Sequence, residues 1–306
     1  MNEVLTGLFI KIILMTGIGF ALKRCGILTD ALQKGLSSIL LAAVLPASIL
    51  ASANAETGAG TCVKLAYCSA VCCAYFAAAF AAAALSARLL RLPREKYGIF
   101  VTMCMLPNSS FLGMPLTKAL FGSEGMMYAV VFSLFWQVFA FTLGLMALTG
   151  SKKIDLRALA RDPATVVSIL SLALYVSPLR LPESIVTALD DVGSMCLPLS
   201  LMIIGAGLSG IKPLRLLSEK YAYAVSALRL LILPGAVLAA MVALKADSLL
   251  ASVCVVLTAM PVGSLNAVFA EQYDAPKDFA VTTIVQSTVL MLATLPLFLY
   301  LCETLL

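Results

Sequence analysis

The chain has 306 residues, of which 61% are hydrophobic and 12% are charged, and its net charge is +5. Typical soluble domains are about 45–50% apolar and about 25% charged, so this composition excludes an ordinary soluble protein and predicts an integral membrane protein. Because the chain contains no histidine, serine–histidine catalysis and imidazole metal sites are excluded. We therefore expect no enzymatic activity and no bound cofactor or metal.

Ten apolar runs follow one another along the chain, each close to the roughly 20 residues that a helix needs to cross a bilayer core about 30 Å thick. They cover residues 4–22, 31–53, 62–88, 97–120, 125–149, 163–181, 185–209, 219–243, 247–271 and 278–302. The apolar residues are continuous within each run rather than alternating, which is typical of helices. The sequence therefore predicts an all-α membrane protein with ten transmembrane helices, which we number as spans 1 to 10.

Lysine and arginine are distributed unequally between the two sets of connections. The connections that follow spans 1, 3, 5, 7 and 9 hold 15 of the 21 basic residues, and the opposite side, which includes both termini, holds four. Because cytoplasmic loops are enriched in basic residues, we expect a multi-pass protein of the cytoplasmic (inner) membrane with both termini on the outside. This sorting also accounts for the net charge without a nucleic-acid partner.

Two basic residues, Lys11 and Arg229, fall inside predicted spans. Charged side chains at membrane depth are costly and are functional candidates by default. Each of the two lies within about two helical turns of an end of its span, and long basic side chains can reach the interface from there. We therefore predict that both side chains extend to the membrane surface.

The most charged stretch, SKKIDLRALARDP at the middle of the chain, separates two halves of five spans each. Pro107 in span 4 and Pro261 in span 9 are 154 residues apart, and a Leu–Pro pair recurs in spans 2 and 7. We predict a first five-helix repeat over 1–150, a cytoplasmic linker over 151–162 and a second five-helix repeat over 163–306. An odd number of spans in each half inverts the second half in the membrane, as in many secondary transporters.

Spans 4 and 9 are both interrupted near their centres, by LPNSSFLGMP at 106–115 and by AMPVGSLNAVFAEQY at 259–273. Proline removes a backbone donor and clashes with the preceding turn, so each motif is expected to end one helix and begin another. Paired interrupted spans point to a transporter's binding site, because irregular backbone at this depth must be buried in protein or line a cavity. The candidate substrate-binding residues are Pro107, Asn108, Ser109, Pro261, Gly263, Ser264 and Asn266.

Each break leaves unpaired amides and the positive end of a half-helix dipole near the membrane midplane. Two such ends form a site for an anion without any charged side chain, and the side-chain amides of Asn108 and Asn266 can donate to a carboxylate. The alternative is a pair of simple kinks, because Pro and Gly are common in membrane helices. Gln137 in span 5 and Gln286 in span 10 could line the site or bind a coupling cation, or they could form hydrogen bonds between helices.

Three segments, PNSSFLGMPLTKALFG at 107–122, MPVGSLNAVFAEQY at 260–273 and STVLMLATLPLFLYL at 287–301, resemble the auxin efflux carrier family. That family includes plant auxin carriers and bacterial permeases assigned to malonate and other organic acids. The resemblance implies a fold related to the bile-acid:sodium symporters, in which spans 4 and 9 cross at their prolines. It also implies that spans 3–5 and 8–10 form a transport domain that moves against a scaffold of spans 1, 2, 6 and 7, through which a homodimer would form.

The family's proline and asparagine at the two crossing points fall on Pro107 and Asn108, and on Pro261 and Asn266. The long central loop of many plant members is absent, which fits a prokaryotic carrier and leaves the substrate unidentified.

We predict a secondary transporter of small mono- or dicarboxylates that works by alternating access, coupled to protons or sodium ions or driven by the membrane potential. The alternatives are a channel or facilitator and a membrane sensor of the same ligands. An intramembrane enzyme is disfavoured, because no GxSxG motif and no aspartate pair lie at membrane depth. The expected partners are this substrate and the membrane lipid.

Overall fold

The computed structural model describes residues 3–55, 57–58, 60–150, 163–209 and 219–306. All regular secondary structure in these ranges is helical, which confirms the prediction of an all-α protein. We number the described helices in chain order. They are α1 Glu3–Arg24, α2 Asp30–Ser52, α3 Thr61–Leu89, α4 Arg94–Met105, α5 Ser109–Thr149, α6 Pro163–Val176, α7 Glu183–Leu208, α8 Lys220–Ala243, α9 Ser248–Thr258, α10 Leu265–Gln272 and α11 Lys277–Leu305.

Six helices of the described ranges are long and apolar enough to cross a membrane, namely α2, α3, α5, α7, α8 and α11. Two more, α6 and α9, are shorter apolar helices. Each of the ten predicted spans contains a described helix, and the predicted linker 151–162 lies outside the described residues. The helical content is that of a multi-pass membrane protein, whereas the crossing of the membrane by ten segments and the inversion of the second half remain predictions.

Helix α5 contains the boundary between predicted spans 4 and 5. Gly122 has a φ of 65° and a ψ of −157°, a conformation that glycine adopts without the steric cost of a Cβ atom. It divides α5 into a first segment, residues 109–121, and a second segment, residues 123–149. The first segment is thus the second half of span 4, and α4 is its first half.

Helix α7 packs against both α1 and α2 over long stretches. The contact between α1 and α7 depends on glycines, because a Cβ atom on Gly19 would overlap the carbonyl oxygen of Met202, and one on Gly205 would overlap that of Thr16. Close approach of helices through small residues is typical of membrane proteins, where lipid supplies no hydrophobic force between helices. These three helices correspond to spans 1, 2 and 7, three of the four spans of the expected scaffold.

A second group of contacts joins α3, α4 and α5 to α8, α9 and α11. Its buried core includes a cluster of aromatic rings from α3 and α5, in which Tyr75, Phe76 and Phe132 pack with centroids 5.0–5.7 Å apart. The hydroxyl of Tyr75 accepts a hydrogen bond from the side chain of Arg229 in α8.

Candidate functional site

The two interrupted spans cross at their breaks and are joined there by backbone hydrogen bonds. The amide of Asn108 donates to the carbonyl oxygen of Pro261 at 2.8 Å, and the amide of Gly263 donates to that of Leu106 at 3.0 Å. Residues Pro107 and Val262 form an isolated antiparallel bridge between these bonds. Proline cannot continue the hydrogen bonding of the helix, so both helices end, and the freed backbone groups pair with each other instead of remaining unsatisfied in an apolar interior.

The two extended segments approach each other so closely at the crossing that one position requires a small residue. A Cβ atom on Gly263 would lie 3.0 Å from the carbonyl oxygen of Pro107 and 3.2 Å from that of Leu106, which is tighter than ordinary contact. Glycine at this position therefore lets the two extended segments approach within hydrogen-bonding distance. The glycine in the second motif thus has a packing reason.

Two side chains from neighbouring helices hold the crossing from either side. The indole Nε1 of Trp136 in α5 donates to the carbonyl oxygen of Pro107 at 2.9 Å, and the amide of Val262 donates to the hydroxyl oxygen of Ser287 in α11 at 3.1 Å. Neither residue was a candidate in the sequence analysis. Trp136 is the only tryptophan of the chain, and this singularity within an apolar helix was the one signal that could have drawn attention to it.

A cavity of about 440 Å³ opens on one face of the crossing. Five of the candidate residues line it, namely Pro107, Asn108, Ser109, Gly263 and Ser264. The opposite wall comes from Ser38, Leu41 and Ala42 of α2 and from Ala164 of α6, while Gln137 and Phe141 are among the residues of α5 that also line the cavity. The volume and the mixture of apolar walls with a few polar groups are typical of a site for a small molecule.

Several polar groups at this cavity can donate hydrogen bonds. The first turn of α5 contributes Ser109, Ser110 and Phe111 to the lining, and the first amides of a helix have no acceptor within it. The side chain of Asn108 is nearly buried, and its Nδ2 lies 3.5 Å from the hydroxyl oxygen of Ser264 just before α10. The hydroxyl of Ser109 is buried and has no hydrogen-bond partner among the described residues. The cavity thus presents the positive ends of two helices and unengaged polar atoms.

The two remaining candidates of the crossing, Pro261 and Asn266, lie behind the cavity wall. Asn266 is fully buried, and its Nδ2 donates to the carbonyl oxygen of Gly263 at 2.9 Å. Its Oδ1 has no partner among the described residues. Asn266 therefore supports the turn of the second crossing segment, in contrast to Asn108, which faces the cavity.

The two glutamines occupy different environments. Gln137 lines the cavity, and its Oε1 accepts a hydrogen bond from the hydroxyl of Thr165, which joins α5 to α6. Gln286 is buried in α11, where its Oε1 accepts a hydrogen bond of 3.4 Å from the hydroxyl of Ser226 in α8. Both thus form contacts between helices, and Gln137 additionally borders the cavity.

A smaller cavity of about 200 Å³ lies on another side of Asn108. It is bordered by Gln33 and Ser37 of α2 and by Ile203 of α7, and it shares Asn108, Phe111 and Ser264 with the larger cavity. The polar pair formed by Asn108 and Ser264 therefore stands between two spaces that both adjoin α2.

The prediction that Arg229 extends to the membrane surface is wrong. Its side chain is completely buried at the crossing, where it donates to the carbonyl oxygens of Cys104 and Met105 and to those of Thr258 and Met260. The guanidinium finds acceptors within the protein because α4 and α9 both end at this point and leave their last carbonyl groups unpaired. Lys11, by contrast, is exposed on α1.

Comparison with known proteins relates the chain to transporters. A family model described as "Membrane transport protein" (Mem_trans) matches residues 4–155 and 148–299, which include both crossing segments. An uncharacterized transporter of Methanothermobacter thermautotrophicus is 32% identical over 211 residues, which cover 67% of this chain and 67% of that protein. An uncharacterized transporter of Methanocaldococcus jannaschii is 32% identical over 133 residues, which cover 41% of this chain and 43% of that protein. The chain thus matches less than half the length of the second relative.

Proposed function

Because the chain belongs to the family of membrane transport proteins known as the auxin efflux carrier family, we propose that it is a secondary transporter of small organic anions, mono- or dicarboxylates, in the cytoplasmic membrane. Membership of the family supports transport rather than catalysis. The observation that supports an anionic substrate is the cavity at the crossing, which has donors and helix N-termini on one wall and no charged side chain in its lining among the described residues.

The electrostatics of the cavity favour a carboxylate over a cation. The N-terminal ends of α5 and α10 each carry a partial positive charge, and such ends bind anionic groups at discontinuous helices. Asn108 Nδ2 adds a donor beside them. The apolar residues Leu41, Phe111 and Phe141 on the other walls suit the hydrocarbon part of an organic acid.

The positions of the cavity and of one ion pair support alternating access. Ser38, Phe141 and Ala164 lie in the halves of their spans that are nearer to the connections assigned to the cytoplasm by the basic residues, so the cavity opens towards that side in the proposed orientation. On the other side, Lys118 of α5 contacts Asp190 of α7 at 2.7 Å and the hydroxyl of Ser48 at 3.2 Å. Lys118 lies about 15 Å beyond Asn108 along the helix, so this contact closes the outer end in an inward-facing state.

In this mechanism, the helices that cross move with their neighbours against α1, α2, α6 and α7. The cavity lies between the crossing and the wall formed by α2 and α6, so displacement of the crossing towards the outside exposes the same donors to the other side of the membrane. The Lys118–Asp190 pair must then separate. This division into a moving group and a scaffold is part of the proposal, as are the ten spans and the outside position of both termini.

The proposal is tested first by binding. The purified full chain is screened by thermal unfolding against mono- and dicarboxylates, with simple amines as the comparison. At least one carboxylate is expected to raise the unfolding temperature, and the rise is expected to be lost in Asn108→Ala. The matched control is Gln272→Ala, which removes an exposed amide at the end of α10, away from the cavity. Stabilisation by amines alone, or a carboxylate effect unchanged in Asn108→Ala, would overturn the anion site.

A second measurement separates a carrier from a channel or a sensor. Uptake of the stabilising carboxylate into proteoliposomes is measured with and without unlabelled substrate inside. A carrier gives saturable uptake that internal substrate accelerates. Flux that does not saturate would indicate a channel or facilitator, and binding without flux would indicate a sensor of the same ligand.

A further inference from the structure

The buried arginine at the crossing is bound almost entirely by backbone carbonyl groups. Its Nε donates to the oxygen of Met260 at 3.1 Å, its Nη1 to that of Cys104 at 2.9 Å, and its Nη2 to that of Thr258 at 3.0 Å. A further bond of 2.6 Å runs from Nη1 to the hydroxyl of Tyr75 in α3. No carboxylate forms a salt bridge with Arg229 in the part of the chain that the structure describes.

These carbonyl groups belong to the ends of two helices that meet at the crossing. Cys104 lies in the last turn of α4, whereas Thr258 ends α9 and Met260 follows it. The last carbonyls of a helix carry a partial negative charge and have no donor within the helix. One guanidinium, with five donors in a fixed plane, thus satisfies two helix ends at once.

The same kind of ligand set binds sodium in transporters with discontinuous helices. There, carbonyl oxygens at unwound segments and at half-helix C-termini coordinate the coupling ion, while the N-termini bind the anionic substrate. In this chain the C-terminal carbonyls of both half-helices are already engaged by a side chain. A guanidinium keeps its charge under all conditions in which proteins fold and cannot dissociate from the chain.

We propose that Arg229 is a fixed internal cation that occupies the position of a coupling ion at the crossing, so that substrate binds there without sodium. This inference rests on the proposed anion site and names its ion requirement. Arg229 is a positioning residue, because it acts through the helix ends that it holds and not by touching the substrate. Its charge remains without a carboxylate partner among the described residues, and together with the two helix N-termini it leaves the crossing positive until an anion binds.

The first test asks whether the unaltered protein needs sodium. The rise in unfolding temperature caused by the stabilising carboxylate is measured in sodium chloride and in choline chloride at equal ionic strength. The two rises are expected to be the same. A carboxylate effect present only with sodium would overturn the inference.

The second test replaces the fixed cation by a free one. Arg229→Ala is expected to unfold at a lower temperature than the unaltered protein and to bind the carboxylate at least tenfold more weakly. Guanidinium chloride, far below denaturing concentrations and compared with choline chloride, is expected to restore both properties in part, because the carbonyl groups are again engaged. Sodium chloride is expected to act in the same direction. A merely structural arginine would not make substrate affinity depend on an added cation.

The control is Arg180→Ala, which removes an arginine that is exposed between α6 and α7 and bonds to Thr57 and to nearby carbonyls. Guanidinium is expected to raise the unfolding temperature of neither this variant nor the unaltered protein. An equal rise in Arg180→Ala, or no rise in Arg229→Ala, would contradict the inference.

Two further variants cover the case in which Arg229→Ala does not fold. Arg229→Lys keeps the positive charge, whereas Arg229→Met keeps a similar volume without the charge. Because the carbonyl groups are expected to need a cation, the lysine variant is expected to fold in higher yield and to unfold at a higher temperature than the methionine variant. A methionine variant equal to or better than the lysine variant would overturn the need for a cation. The unfolding temperatures in the guanidinium and variant comparisons are measured without substrate, so they test the need for a cation at the crossing even if no carboxylate binds and the proposed function fails.

Discussion

The two faces of the crossing are built from the same chain breaks, but their helix ends differ in the groups that form hydrogen bonds with them. On one face, the C-terminal ends of α4 and α9 meet the guanidinium of Arg229, which is completely buried. On the other face, the N-terminal ends of α5 and α10 border a cavity of about 440 Å³ and keep Ser109 Oγ without a partner among the described residues. A helix break produces both a negative and a positive end, and here only the positive ends are left for a ligand.

This difference predicts that changes on the closed face reduce stability and changes on the open face reduce binding. A buried hydrogen bond to a charged group contributes more than one between neutral groups. A donor that forms a hydrogen bond only with the ligand contributes little to the free energy of unfolding, because it has no partner in the free protein. The following substitutions test this division, from the largest expected effect to the smallest.

On the closed face, Tyr75→Phe removes the hydroxyl that accepts from Arg229. It is expected to lower the free energy of unfolding by about 1.5–3 kcal/mol, because one donor of a buried charge loses its partner. Thermal unfolding measures the change. Tyr223→Phe on the exposed side of α8 serves as the control and is expected to change stability by less than about 0.5 kcal/mol. Equal stability of the two variants would show that the Tyr75 hydroxyl does not support the arginine.

On the open face, Asn108→Ala is expected to weaken carboxylate binding at least tenfold, or by about 1.4 kcal/mol, because the site loses its side-chain donor. Its unfolding temperature without ligand is expected to remain close to that of the unaltered protein, since Nδ2 makes only a 3.5 Å contact to Ser264. Calorimetric titration measures the affinity. A large loss of stability with unchanged affinity would place Asn108 among the structural residues.

Between the two faces, Gly263→Ala tests the closeness of the crossing. The added methyl group would lie 3.0 Å from the carbonyl oxygen of Pro107, so the two segments must separate slightly. We expect a loss of about 1 kcal/mol in unfolding free energy together with weaker binding, because both faces share this contact. Gly235→Ala in α8, where a Cβ atom meets nothing within 4 Å, is the matched control. A Gly263→Ala variant indistinguishable from Gly235→Ala would contradict the geometry.

The smallest effect on stability is expected from Ser109→Ala. Its hydroxyl is buried without a partner among the described residues, so its removal is expected to leave the unfolding free energy within about 0.5 kcal/mol of the original or to raise it. Carboxylate affinity is nevertheless expected to fall, since the hydroxyl borders the cavity. Unchanged affinity would exclude this group from the ligand contacts.

Much of this arrangement could be predicted from the sequence because it depends on local chemistry. Proline and glycine interrupt helices whatever surrounds them, and Pro107 and Pro261 mark the crossing as expected. The prediction also placed Asn108 beside the break, and it lines the cavity. By contrast, the different position of Asn266 behind the wall depends on the rotation of a short helix about its axis, which composition does not determine.

The roles of Arg229 and Trp136 could not be predicted, because both depend on contacts between distant segments. Arg229 meets residues that lie 29 to 154 positions away along the chain, and its depth depends on which face of α8 turns inward. The assumption that a basic residue near a span end reaches the interface took no account of unpaired carbonyl groups inside the protein. Trp136 bonds to Pro107 across 29 residues, which no spacing rule reveals.

The central claim is that a carboxylate binds on the open face of the crossing, and its most direct test is a crystal structure with a brominated carboxylate selected by the binding screen. The anomalous signal of bromine locates the ligand without reference to its expected position. We predict the bromine within the cavity, with the carboxylate oxygens at hydrogen-bonding distance from Asn108 Nδ2 and the first amides of α5. A ligand bound elsewhere, or a carboxylate pointing away from these amides, would contradict the account.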